Sequence, residues 1–375
     1  MNLEQKTIVV TGIALQSCLG DLAQTWHFLQ QGQSGIKILQ PFANLPAYPM
    51  GLIQDKPLQL PTLTEILVQE ALKDAGLVSP LSDCGVVIGS SRGCQGLWET
   101  IVNEKKVENW LDSLPHYAAT TTAHVIGTLG PVLSPMAACA TGIWAIAQGL
   151  ELILQGKCDR AIVGAIETPI TPLTIAGFAQ MGALAETGCY PFDRKREGLV
   201  LGEGGAILVL ETVESAKQRN AQIYGKVLGF GLTCDAYHVS TPAPDLKSGL
   251  IAIKDCLFRS QLNISDIDYI HAHGTSTHLN DDREAKIIQT LFSPSVAVSS
   301  TKGATGHTLG ASGAMGVAFC LMAIKTGVLP RCVGLTNTAY NLNFVNSKIH
   351  KFPQAALCFS FGFGGQNGVI AVTKA

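Results

Sequence analysis

Short runs of apolar, often β-branched residues alternate along the chain with longer stretches of small and aliphatic residues, the pattern of an α/β protein. The runs Ile8–Thr11, Cys84–Ile88, Ala161–Val163, Ala206–Leu210 and Val296–Ser299 predict strands. Few polar residues interrupt them, which predicts sheets buried on both faces. Two segments share one pattern: VLSPMAACATGIWAIAQGLELILQG (132–156) and VAVSSTKGATGHTLGASGAMGVAFCLMAIKTG (296–327). Each reads as a short strand, a turn containing Gly and Thr, and an apolar helix that stops at a C-cap glycine, Gly156 or Gly327. The repetition predicts a duplication, with an N-terminal half over 1–212 and a C-terminal half over 213–375. The charged stretch LETVESAKQRNAQIYGK (210–226) has no Gly or Pro before Gly225 and predicts an exposed helix joining the halves. No Pro-rich or Ser-rich linker separates them, so they are expected to share a rigid interface.

With 375 residues, 47% of them hydrophobic, the chain can bury an extensive core. Its net charge of −2, from 26 basic and 28 acidic residues, gives no electrostatic reason to bind nucleic acid or an anionic membrane. A small molecule or a protein is the expected substrate. Eleven cysteines with no C-x-x-C pair fit neither a disulfide framework nor a zinc site, and predict a reducing, cytoplasmic setting. MNLEQKTIVVTG lacks the features of a secretory signal, and the apolar stretch 313–324 is shorter than the ~18–20 residues of a membrane span, so no membrane insertion is expected. Neither a Walker loop nor a G-x-G-x-x-G turn between strand and helix occurs, which removes support for nucleotide binding.

Three segments carry candidate chemistry. Cys139, in PMAACATGIWAI (135–146), has almost wholly apolar neighbours, and a free cysteine in such company is by default a buried filler. It sits, however, where a strand turns into a helix, and the positive end of the helix dipole with its unpaired amides favours a nucleophilic thiolate. HAHGTSTHLNDDREAK (271–286) sets His273 at a strand end before a polar loop, with Asp281 and Glu284 on the next helix. His271 and His273 on one strand face also fit a metal site, but no further His or Cys stands at metal-site spacing. STKGATGHTLGASG (300–313) holds Lys302 and His307 around two glycines, which fits an anion cradle or a core histidine.

In order and spacing, ACATG, HGTST followed by Asp281 and Glu284, STKGATGHTLGASG, PFDRKREGLVLGEGGAILVLE (191–211) and FSFGFGGQNG (359–368) resemble the β-ketoacyl-acyl carrier protein synthases of the elongating Cys-His-His class. GFGLTCDAYHVSTPAP (229–244) resembles their synthase II branch, and the likeness runs nearly the length of the chain. It implies a duplicated thiolase-like, five-layered αβαβα fold and an acyltransferase without cofactor or metal. It implies Cys139 as the acylated nucleophile. His273 and His307 would donate hydrogen bonds to the enolate formed when a malonyl thioester loses CO2, and Lys302 with Glu284 would be the buried ion pair that organises them. The amides of Cys139 and Phe363 would form the oxyanion hole, with Phe363 as gate and the GFGG glycines admitting close backbone approach. Thr275 and Thr277 would bind the pantetheine arm, with His238 and Ser240 at the tunnel mouth. The implied partners are an acyl carrier protein bearing acyl and malonyl groups, and a second copy in a homodimer.

The alternative is a non-catalytic subunit that sets chain length in a heterodimer, but such partners usually lose the cysteine. A degradative thiolase would carry a second cysteine where this chain has GFGG. The motif at 191–211 is expected to be structural, a turn and strand at the centre of the fold with Phe192 as core, and Arg196 is its one candidate to face the carrier; Asp281 is expected to organise a loop. Three departures stand out. The span from residue 89 to Cys139 is shorter than usual in the synthase II branch, in a region that shapes the acyl pocket and dimer interface. The segment 53–77 has only Lys56 before Lys73, lacking the usual basic cluster for an acidic carrier and leaving Arg194, Lys195 and Arg196 as docking candidates. Gln366 replaces a common threonine.

Overall fold

The computed structural model describes residues 6–105, 107, 110–347 and 349–375. Every predicted strand is present. In the N-terminal half, β1 (Ile8–Ser17), β2 (Gly85–Gly89), β3 (Val132–Leu133), β4 (Arg160–Glu167) and β5 (Gly204–Thr212) pair in the order β3-β2-β4-β5-β1. In the C-terminal half, β6 (Gly225–Cys234), β7 (Tyr269–His271), β8 (Ala297–Ser299), β9 (Asn343–Phe344), β10 (Ala355–Gly362) and β11 (Gln366–Thr373) pair in the order β8-β7-β10-β11-β6, with β9 beyond β8. The two orders correspond strand for strand, which is the duplication seen in the sequence. β1 and β6 meet antiparallel at Val9↔Lys226 and Val10↔Gly225 and join the halves.

The helices repeat as well. α1 (Leu60–Ala75) covers the outer face of the first half-sheet through Leu63, Leu67, Val68 and Ala71, and α4 (Lys247–Ser260) with α5 (His278–Leu291) covers the outer face of the second. α2 (Thr141–Leu154) and, after the short α6 (Lys302–Thr305), α7 (Ser312–Thr326) lie together between the sheets, completing the αβαβα layers. A helix covered on all sides is apolar all round, as α7 is. With the turn before it, Leu309–Thr326 is long and apolar enough to cross a membrane, and 83% of it is buried inside the protein. The contact between α2 and α7 explains two small residues. A Cβ on Gly142 would lie 2.5 Å from the Ala314 nitrogen, and one on Gly313 would lie 2.7 Å from Ile143 Cγ1.

Two local expectations change. α2 ends at Leu154 with Gln155 as its cap, and Gly156 takes the left-handed conformation one residue later, whereas Gly327 caps α7 directly. The charged stretch at 210–226 is not one helix. β5 continues to Thr212, a six-residue α3 (Val213–Gln218) follows, and the chain turns through Asn220 at φ +52 toward β6. The reason is Glu211, whose buried carboxylate accepts Arg160 Nη2 at 3.1 Å and Arg219 Nε at 3.1 Å and so pins both ends of the segment to the sheet.

Candidate active site

Cys139 lies on a tight elbow between β3 and α2. Ala138 is held at φ +46, a conformation costly for a residue with a Cβ, and Ala140 is the N-cap of α2. Ser360 Oγ donates to the Cys139 carbonyl at 2.7 Å. Gly362 approaches so closely that a Cβ there would lie 2.9 Å from the Cys139 nitrogen. The Phe363 amide favours the charged form of the sulfur. The sequence suggested a lowered thiol pKa, but burial outweighs the attraction of Lys302 and this amide, and pushes Cys139 up to about 11. The resting group is a thiol.

The sulfur and one ring nitrogen each of His273 and His307 lie within 4.8 Å of one another, and the two rings meet edge to face, centroids 5.2 Å apart at 80°. Glu284 sets His273 through the backbone, its two oxygens accepting the amides of His273 at 2.6 Å and Gly274 at 2.7 Å. Lys302 approaches from the other side, donating to the His273 carbonyl and lying 3.4 Å from Nδ1. A donor at Nδ1 leaves the proton of a neutral imidazole on Nε2. His307 is zipped into the neighbouring strand by its own amide, 2.6 Å from the Val200 carbonyl, while its Nδ1 faces Ser312 Oγ at 2.9 Å. A hydroxyl can donate or accept, so both His307 tautomers are available. Burial, then the Lys302 charge, holds both histidines well below the usual imidazole pKa, so they are neutral donors. The trio is the one cluster of His, Cys and carboxylates among the described residues close enough to share a metal ion. An Nε2–H on His273 and the neighbouring Lys302 charge make it a poor cation site.

This cluster forms the floor of a cavity of about 360 Å3. Phe178, Leu199, Leu309, Phe361 and Phe363 give it apolar walls, and Ser240, Thr241, Thr275 and Thr277 give it hydroxyls. Thr275 Oγ1 and Thr277 Oγ1 are 2.8 Å apart. The Phe363 ring packs on Phe178, centroids 6.1 Å apart.

The sequence pattern of the beta-ketoacyl synthase N-terminal domain matches residues 60–216, and that of the C-terminal domain matches 224–336. The chain belongs to the beta-ketoacyl synthase family. It is 35% identical to the 3-oxoacyl-[acyl-carrier-protein] synthase 2 of Synechocystis sp. over 412 residues, covering 100% of this chain and 99% of that one. It is 32% identical to the protein of the same name from Coxiella burnetii over 411 residues, covering 99% of each. Among solved structures it superposes with TM-score 0.93 and 26% identity on a chain of AntDE:AntF, a type II PKS acyl-carrier protein in complex with its ketosynthase bound to the hexaketide. It superposes with TM-score 0.90 and 26% identity on the ishigamide ketosynthase/chain length factor. In both cases the match covers 99% of this chain and 100% of the other.

Three details of this ketoacyl synthase differ from the sequence expectation. Lys302 and Glu284 make no direct ion pair among the described residues; they hold His273 from opposite sides, and burial lifts Glu284 to about 7 while lowering Lys302. His238 is exposed and absent from the cavity wall, because its Nδ1 accepts the amides of Ser240 at 3.2 Å and Thr241 at 3.1 Å and turns the ring onto its own loop. Arg196 is buried, donating to Asp282 at 2.8 Å, Tyr340 Oη at 2.6 Å and the Asp193 carbonyl at 2.9 Å, so it faces no carrier. Asp281 accepts the amide of Phe192 at 2.7 Å and so ties the 191–211 segment to α5, and Phe192 is core. His271 turns away from the site, toward Phe319 and Cys358.

Sequence reasoning missed Ser312, which orients His307, and Glu167, a buried carboxylate that accepts Ser90 Oγ at 3.1 Å and the Ser91 amide and whose charge acts on Cys139. It also missed Asp235, Arg283 and Asn367 in the cavity wall. Ser312, Asp235, Arg283 and Asn367 all fall inside the recognised motifs, but a side chain that acts across the fold has no signature of its own.

Proposed function

We propose that this chain catalyses the decarboxylative Claisen condensation of an acyl group on Cys139 with malonyl-acyl carrier protein, giving a 3-oxoacyl-acyl carrier protein in fatty-acid or related chain synthesis. The observation that carries this is the convergence of the Cys139 sulfur, His273 and His307, with Lys302 behind His273, in the lining of a cavity of about 360 Å3. In the first half-reaction the thiol attacks the acyl thioester, and the amides of Cys139 and Phe363 stabilise the oxyanion. The carrier sulfur leaves and gains the thiol proton, which His307 passes on through its two tautomers. In the second, the malonyl thioester loses CO2, and Nε2–H donors of the two histidines hold the enolate oxygen. The enolate carbon then attacks the acyl carbon, and Cys139 leaves as thiolate and takes up the one proton the condensation consumes from solvent. Thr275 and Thr277, with Ser240, line the path of the arm.

The chain is read as two halves, 1–212 and 213–375, with the nucleophile on the first and the histidines and Lys302 on the second. Homodimerisation is supported by β3, a short edge strand with exposed Val132 and Leu133 between exposed Leu129 and Met136, which offers pairing positions and apolar surface to a second copy. A cytoplasmic location is supported by eleven free cysteines. A chain-length subunit without activity does not fit, because Cys139, both histidines and Lys302 are all present and mutually oriented. Purified protein given acyl-carriers of graded length and malonyl-carrier should release CO2 and form 3-oxoacyl-carriers two carbons longer. Acyl transfer without CO2 release would overturn the proposal.

A further inference from the structure

The cavity is apolar where Phe178, Leu199, Leu309 and Phe363 line it, and these side chains pack in one cluster. An acyl chain on Cys139 gains by lying along them, whereas the hydroxyls of Ser240, Thr241, Thr275 and Thr277 suit a more polar arm. The segment after β2 backs this apolar side. Ser91 abuts the turn beyond Leu309, where a Cβ on Gly310 would lie 3.1 Å from Ser91 Cβ. Arg92, the next residue, sets its guanidinium over the Phe178 ring, with Cζ 5.5 Å from the centroid. Phe178 lines the cavity and Arg92 does not, so an aromatic ring separates the path of an acyl chain from a full positive charge.

That charge is uncommitted. Among the described residues Arg92 makes no ion pair and its side chain no hydrogen bond, and the residue is exposed. Carboxylates on the adjoining elements are engaged elsewhere. Glu167 accepts Ser90 Oγ at 3.1 Å and the Ser91 amide, and Glu99 accepts Gln95 Nε2 at 2.9 Å and the Leu173 amide at 3.2 Å. The Phe178 ring offers the guanidinium a cation–π contact, which is weak at an exposed position and leaves its N–H donors to solvent. A carboxylate accepts from those donors in parallel and is the stronger partner. The exposure of Arg92 spares such a pair the full desolvation cost of a buried one. A saturated alkyl end gains nothing from the cation.

We propose that Arg92 is a specificity-determining residue, selecting acyl groups that end in a carboxylate. The chain runs from Cys139 along Phe178 and Leu309, and its terminal carboxylate takes the place of the Phe178 ring over the guanidinium as the ring turns aside. This rests on the condensing function above and names the acyl class for the same cavity, the monothioesters of straight-chain dicarboxylic acids.

The test uses N-acetylcysteamine monothioesters of adipic, suberic and sebacic acids beside those of hexanoic, octanoic and decanoic acids, with acylation of Cys139 followed by intact mass. At one chain length or more the wild-type protein should take the diacid about tenfold faster than the monoacid of equal length, and raising NaCl from about 50 to 500 mM should narrow that ratio, since a part-exposed ion pair is screened. Arg92→Leu, at an exposed position where folding is not at stake, should invert the ratio, and Arg92→Lys, which keeps the charge without the planar fork, should retain only part of it. A wild-type preference for the monoacid at every length, or a diacid preference that survives Arg92→Leu, overturns the role of Arg92. Subsequent addition of malonyl-carrier tests the underlying reading separately: wild-type protein that no thioester acylates, or whose acyl groups malonyl-carrier does not discharge with release of CO2, overturns the condensing function itself, and the selection with it.

Discussion

Lys302 grips His273 at two points, donating to its carbonyl oxygen and lying 3.4 Å from Nδ1. One side chain thus fixes both the position of the histidine and the location of its ring proton. Lys302→Met should still accept an acyl group on Cys139, because the sulfur keeps its helix start and the Phe363 amide. Condensation should fall about 10²- to 10³-fold, the usual effect of losing one organised oxyanion donor. Intact-mass measurement of the acyl-enzyme beside CO2 release separates the two steps, and equal loss of both would contradict this division.

Burial raises the Cys139 thiol to about 11, so thiolate accumulates only as pH rises toward that value. Iodoacetamide alkylation of Cys139 should therefore accelerate about tenfold per pH unit through pH 9 and 10 without levelling off. A plateau beginning below pH 8 would reveal a thiolate-imidazolium pair, contrary to the neutral histidines described here.

Gly142 and Ala314 set the closest approach of α2 to α7. A methyl group on Gly142 has no space, since it would lie 2.5 Å from the Ala314 backbone nitrogen, so Gly142→Ala should cost about 1–3 kcal/mol. A lowered thermal midpoint, together with slower acylation as the elbow shifts, is the expected result.

Arg196 and Lys195 are neighbours with opposite sensitivities. Arg196→Glu would bring a third carboxylate beside Asp281 and Asp282 in a buried site and should prevent folding or sharply lower the thermal midpoint. Lys195→Glu, at an exposed position over Tyr190, should change stability by about 0.5 kcal/mol or less. Circular dichroism melts of the two proteins would distinguish a structural arginine from an interchangeable surface charge.

The strands were legible because buried sheets need long apolar runs, and the duplication because α2 and α7 must each present a small-residue face to the other. Cys139, His273, Lys302 and His307 stood out as candidates because each sits in a Gly-rich or Thr-rich turn, and it was the likeness of those turns to the Cys-His-His synthases that suggested their roles. What was not legible depends on distance across the fold. Lys302 and Glu284 both act through His273, which spacing alone cannot separate from a direct pair. Arg196 reads as a surface cation until Asp282 and Tyr340 are brought against it by α5 and the segment before β9. Similarly, the 210–226 stretch has helical composition, but Arg160, from another strand, anchors Glu211 to the sheet.

Cys139 is proposed to carry the acyl group that the enolate attacks. The most direct test is intact-mass spectrometry of protein first loaded from an acyl-carrier and then given malonyl-carrier. One acyl adduct should map to Cys139, be discharged on addition of malonyl-carrier with equal amounts of CO2 and a 3-oxoacyl-carrier two carbons longer, and be retained in His273→Ala and His307→Ala. An adduct on any other cysteine, or an acyl-Cys139 that malonyl-carrier cannot discharge from the wild-type protein, would contradict it.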